Sequence, residues 1–121
     1  MFGAKENIVQ QKTYSFAVKA INDYKHLVNE KREFVLSKQL LRCATSIGAN
    51  VMEANGGISK ADFSHKISIS YKEALETKYW LSLLKDTEYI TVKVYDELFN
   101  DCDEICRILF SILKSTDRIP K

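Results

Sequence analysis

Residues 91–115 read TVKVYDELFNDCDEICRILFSILKS, and within them Tyr95, Leu98, Cys102, Ile105, Leu109 and Ile112 recur at steps of three and four. That spacing sets one apolar side chain per turn on a single face and predicts a helix over about 92–115. Thr91 is placed as its N-cap, and Asp96, Glu97, Asp101, Asp103 and Glu104 fall in its first half, where the carboxylates nearest the start favour the helix dipole. Upstream, Phe63, Ile67, Ser70, Ala74, Thr77, Leu81 and Leu84 keep the same steps behind the capping-box-like Ser59-Lys60-Ala61-Asp62. A helix over about 60–86 follows.

Asn55-Gly56-Gly57 is the strong breaker of the interior, and the seam before it is Leu40, Ala44, Ile47, Val51 and Ala54. A helix over about 38–55 is predicted, with Ser37 as N-cap, Leu36 and Leu41 as a hydrophobic staple, and Phe34-Val35-Leu36 as linker. The first segment carries Ala17, Ala20, Ile21, Tyr24, Leu27 and Val28 on one face and Lys5, Lys12, Lys19 and His26 at intervals of seven on another, giving a helix over about 7–30. Four helices with short connections imply an all-α, antiparallel up-down-up-down four-helix bundle in a single domain over 1–121. A helical hairpin pair that completes its core only in an oligomer is the alternative. Ile8, Phe16, Tyr71, Tyr79, Trp80, Leu83, Phe99 and Phe110 lie off the simple seams, and this aromatic surplus suggests a subunit interface.

Composition agrees. The 121 residues are 45% apolar and 28% charged, with four glycines and one proline, too few turn formers for a sandwich or barrel. The longest uncharged stretch, Cys43 to Met52, is ten residues, well short of the ~18 a membrane span needs. No membrane association is expected, and a start without signal-peptide order points to a cytoplasmic location. Cys43, Cys102 and Cys106 form neither a Cys-x-x-Cys pair nor a zinc set and read as reduced, buried thiols. The net charge of +2 is uneven: residues 1–85 hold 13 basic and 8 acidic side chains, and residues 86–121 hold 5 and 8. Such asymmetry fits either a polyanion-binding surface or complementary patches between subunits.

Chemistry-bearing motifs are sparse. Asp23/His26 and Asp62/His65 each place a carboxylate and an imidazole one turn apart, but the antiparallel layout sends the two pairs toward opposite ends, so no metal site is expected. Glu73 and Glu76 lie one turn apart without a nucleophile or a glycine-rich loop, and neither an enzyme nor a cofactor is expected. The unusual feature is a polar line on the third-last helix face, Gln39, Arg42, Ser46, Asn50 and Glu53, answered by Lys66, Ser70, Glu73 and Thr77. Antiparallel pairing predicts a ladder of Arg42 with Glu73, Ser46 with Ser70 and Asn50 with Lys66, fixing helix register, with a bidentate Arg at its head. Lys5, Lys12, Lys19, Lys38, Lys60 and Lys66 are candidate nucleic-acid contacts; their bland alternative is a solvated helix face.

The stretch from Gln39 to Glu53, with Arg42, Ser46-Ile47, Ala49-Asn50 and Glu53, followed by Lys60, Asp62-Phe63 and Ser70-Tyr71-Lys72-Glu73, resembles the bacterial 23S ribosomal RNA intervening-sequence proteins, often filed under a ribosomal-protein heading. One departure is Ala54, where many members carry glycine directly after the motif glutamate. The resemblance implies an up-and-down bundle that assembles into a ring-like homo-oligomer, a pentamer, without enzyme activity or cofactor. It also implies RNA or DNA as partner; a protein partner recruited by an oligomeric scaffold is the alternative. Gln39, Arg42, Ser46, Asn50, Glu53, Ser70 and Glu73 are carried as motif positions with structural roles.

Overall fold

A computed structural model describes residues 4–116, with side chains from residue 8 onward. Four helices follow one another: α1 (Ala4–Asn29), α2 (Leu36–Asn55), α3 (Lys60–Asp86) and α4 (Val92–Ser115). α1 packs on α2 and α4, and α3 packs on the same two, while α1 and α3 stay diagonal across the core, as do α2 and α4. This is the up-down-up-down four-helix bundle, and the α1/α2 side is opposite the α3/α4 side.

The seams of α2, α3 and α4 are buried where the spacing places them. Leu40, Ala44, Ile47 and Val51 meet Ile67, Ala74, Leu81 and Leu84, closed by Leu98, Cys102, Ile105 and Leu109. Ser64, Ser70 and Thr77 take buried turns of α3. On α1 the buried line is Val9, Thr13, Phe16, Ala20 and Leu27, so Ile21, read as core, is exposed. One residue rotates a helix by about 100°, and at a seam's edge that moves a side chain from core to water.

The turns have three different physical causes. α3 starts on Ser59, whose hydroxyl accepts the Asp62 N–H at 3.0 Å, and α4 on Thr91, which accepts from Val94 at 3.1 Å. α2 does not start on Ser37: that residue is buried in the first turn and donates to the Glu33 carbonyl at 2.7 Å. Glu33 is the cap, its carboxylate accepting the N–H groups of Val35, Leu36 and Ser37 at 3.2, 2.9 and 2.6 Å. These donors outweigh the burial that would raise its pKa, and hold the carboxyl below its usual value. Left-handed backbone falls on Arg32 (φ 56°) and Glu88 (φ 66°), and the Tyr89 N–H then closes α3 on the Leu84 carbonyl at 2.9 Å. Gly57 serves by its size: a Cβ there would stand 3.0 Å from the Ala54 carbonyl and 3.2 Å from the Phe63 nitrogen.

Candidate interaction surfaces

The polar line between α2 and α3 exists: the expected Arg42–Glu73 ion pair is formed, while Ser70, Asn50 and Lys66 take partners shifted by up to a turn from the expected ones. Arg42 lies 3.5 Å from Glu73 and makes its short contact, 2.5 Å, with Glu76, which also accepts the Trp80 indole N–H at 3.0 Å. Ser70 does not meet Ser46; it donates to the Ile47 carbonyl at 2.8 Å. Asn50 does not meet Lys66; its amide donates to the Ser46 carbonyl at 2.8 Å, and Lys66 pairs with Glu53 at 2.7 Å. Gln39 is exposed at the start of the line. Long side chains reach across a turn, so charge finds charge, and the short serine settles for the nearest backbone oxygen. Glu76 was legible as a second carboxylate one turn from Glu73.

Of the candidate nucleic-acid contacts, half are engaged within the chain. Lys12 pairs with Glu104 at 3.2 Å, and Lys19 with Asp101 at 2.7 Å and Glu97 at 3.2 Å, so the lysine line of α1 faces the acidic half of α4. Hydrogen bonds donated to Asp101 and Glu97 raise the Lys19 pKa, and the one donated to Glu53 raises that of Lys66. Lys38 and Lys60 are exposed and in no ion pair among the described residues, but they open α2 and α3 and therefore stand at opposite ends of the bundle. The side chain of Lys5 lies outside the described residues. The six residues do not form one patch.

Two other surfaces stand out. Between α1 and α2 runs a cleft of about 750 Å³ with a floor of small residues, Thr13, Ala17, Thr45, Gly48 and Ala49, walled by Gln10, Tyr14 and Met52. Gly48 makes the floor flat because a Cβ there would sit 3.3 Å from the Thr13 hydroxyl. Tyr14 and Met52 are 72% and 57% exposed. On the opposite side, Tyr71, Leu75 and Phe110 are presented by α3 and α4 beside a shallow cleft of about 350 Å³, with Lys78, Asp103 and Arg107 at its rim. The Tyr71 and Phe110 rings are 5.9 Å apart, and Leu75 is 45% exposed. The simple seams missed both surfaces; the off-seam residues Tyr71 and Phe110 were the signal for the second.

The cysteines are free and buried. Burial pushes the Cys43 thiol up to about 11, and the Cys102 thiol donates to the Ala74 carbonyl at 3.3 Å. Neither Glu73 nor His65 lines these clefts or the cleft of about 390 Å³ between the α1 terminus and the α3–α4 turn. Among the described residues no helix is long and apolar enough to cross a membrane, and no group of three or more His, Cys, Asp or Glu could hold a metal ion.

Fold and surfaces together define a small helical bundle with a polar α2–α3 seam and two exposed apolar sides. The chain belongs to the 23S rRNA-intervening sequence protein family, which it matches over residues 5–111. It is similar to the crystal structure of a protein of unknown function from the S23 ribosomal protein family of Bacteroides thetaiotaomicron, at 55% identity and a TM-score of 0.90, covering 91% of this chain and 98% of that one. No curated protein matches it.

Proposed function

We propose that the protein is a non-enzymatic bundle that assembles with copies of itself into a ring and binds RNA or DNA through cations repeated around that ring. The observation that supports this reading best is the pair of unlike apolar surfaces on opposite sides of the bundle, the α1/α2 cleft and the α3/α4 ridge of Tyr71, Leu75 and Phe110. A ridge entering the next subunit's cleft is a heterologous contact, which closes into a ring when the rotation allows. Family resemblance gives five as the expected number. A ring multiplies a weak cationic patch into avidity without new kinds of contact.

A second reading, an oligomeric scaffold for a protein partner, is favoured by the engagement of Lys12, Lys19 and Lys66 with the chain's own carboxylates. Binding of RNA and DNA across a salt series, with mass by light scattering on the same sample, separates the two. An oligomer whose affinity falls steeply with salt supports the first. An oligomer that ignores both nucleic acids at low salt overturns it in favour of the scaffold.

A further inference from the structure

We infer that the turn joining α1 to α2 is the contact surface for a single-stranded nucleic acid, with Lys25, Lys31, Arg32 and Lys38 on its phosphates and Phe34 beneath a base. The inference rests on the nucleic-acid reading above and gives it an address away from the lysine line of α1.

Charge is the first argument. All four cations are exposed, and none forms an ion pair among the described residues, unlike Lys12, Lys19 and Lys66. The acids nearby do little to cancel them. Glu33 is turned inward and holds three N–H groups of α2, and one oxygen of Asp23 is sealed from water. Glu30 is the exposed carboxylate of the turn itself, and Glu88 stands across the cleft that His26 and Lys31 share with the α3–α4 turn. Two of these cations stand on the turn and one in each flanking helix end; no other stretch of similar length among the described residues carries four unpaired cations, and phosphate is the ligand that such a cluster recognises.

The backbone supplies the second argument. Arg32 sits at φ 56°, a conformation that glycine or asparagine adopts at less cost. Like Glu88 at the end of α3, it turns the chain out of a helix, and the Glu33 N–H then meets the Leu27 carbonyl at 2.9 Å. Beside this turn the guanidinium lies over the Phe34 ring, 5.3 Å from its centroid. Phe34 is half-exposed and Val35 more so, and neither belongs to the core. An aromatic face beside a guanidinium plane stacks unpaired bases regardless of sequence, whereas a duplex hides those faces.

Assembly strengthens the contact. In any cyclic ring every copy of the turn lies at one height and one radius, so a flexible strand can pass from turn to turn. The α1/α2 cleft lies toward the other end of the bundle, so occupying it leaves the turn open.

The test compares binding of a short labelled oligouridylate, and of a duplex of the same length, to the intact wild-type oligomer, to Lys31→Glu/Arg32→Glu, to Phe34→Ala and to Lys72→Glu/Lys114→Glu. Circular dichroism and light scattering confirm that each variant keeps fold and mass. Expected are single-strand binding tighter than duplex binding, at least a tenfold loss with a shallower salt dependence for the charge reversal, a loss of about fivefold or more for Phe34→Ala, and little change for Lys72→Glu/Lys114→Glu. Wild-type-like binding by the charge-reversed and Phe34 variants overturns this address while the nucleic-acid reading stands. Absence of binding by the wild type at low salt overturns both, and leaves the protein scaffold.

Discussion

Ser70, fully buried on α3, sends its hydroxyl to the carbonyl of Ile47 on α2 at 2.8 Å, carrying the polar seam into the core as the Thr77 hydroxyl does two turns on, toward the Cys43 sulfur at 3.2 Å. A serine fits because only a small side chain lets the two helices approach while supplying a donor. Ser70→Ala is expected to cost about 1 kcal/mol by losing the bond. Ser70→Leu is expected to cost about 1–3 kcal/mol by wedging the helices apart. Urea unfolding of both variants measures the difference.

Adjacent glycines of the α2–α3 turn are expected to behave oppositely. Gly57 has no room for a Cβ, and two of its nearest neighbours are backbone atoms of Ala54 and Phe63, so Gly57→Ala should destabilise by about 1–3 kcal/mol. Gly56 meets a single atom at 3.7 Å and sits at φ −90°. Gly56→Ala should therefore be neutral or stabilising by up to about 1 kcal/mol, through the unfolded chain. Thermal melts of the two variants side by side check this.

Glu33 governs the start of α2. Glu33→Ala should cost about 1–2 kcal/mol at neutral pH, the scale of a lost cap. Because its folded pKa is lowered, the carboxylate's contribution is complete above the unfolded value and is lost as pH falls through the folded one. The stability gap between wild type and Glu33→Gln should then close on acidification, and urea titrations at several pH values would show it. A gap independent of pH would contradict the cap.

Asp23 works in the other sense. It takes a place on the α1 seam between Ala20 and Leu27, burial raises its pKa against the opposing pull of His26, and its Oδ2 has no hydrogen-bond partner among the described residues. Between its ordinary and raised values the native state holds more protons than the unfolded one, so this residue's contribution falls as pH rises through that window. Asp23→Asn should remove that slope and raise stability at neutral pH relative to wild type. Denaturation midpoints of the two proteins across mildly acidic to neutral pH decide it.

Helix count, order and three of the four buried seams were legible, because steps of three and four repeat over many turns and a single breaker, Asn55-Gly56-Gly57, separates the middle pair. Less legible was anything decided by reach. Glu33 out-competes Ser37 as cap because a carboxylate from the preceding turn can accept several N–H groups at once. Arg42 forms the expected ion pair with Glu73 and adds a shorter one with Glu76, because a guanidinium spans a turn. The lysines at intervals of seven on α1 look solvent-facing until α4 brings Glu97, Asp101 and Glu104 beside them. Left-handed Arg32 and Glu88 carry no local signal, since that conformation is read from glycine and asparagine.

The most direct measurement of the central claim is mass in solution for the wild type, for Ala49→Arg in the α1/α2 cleft, for Leu75→Arg on the α3/α4 ridge, and for the two variants mixed. Wild type is expected to be a closed oligomer of constant mass over a range of concentrations, each variant a monomer, and the mixture a one-to-one dimer joined through its remaining intact surfaces. A wild type that stays at the 13.9 kDa of a single chain, or variants that assemble as it does, would contradict assembly through these two surfaces.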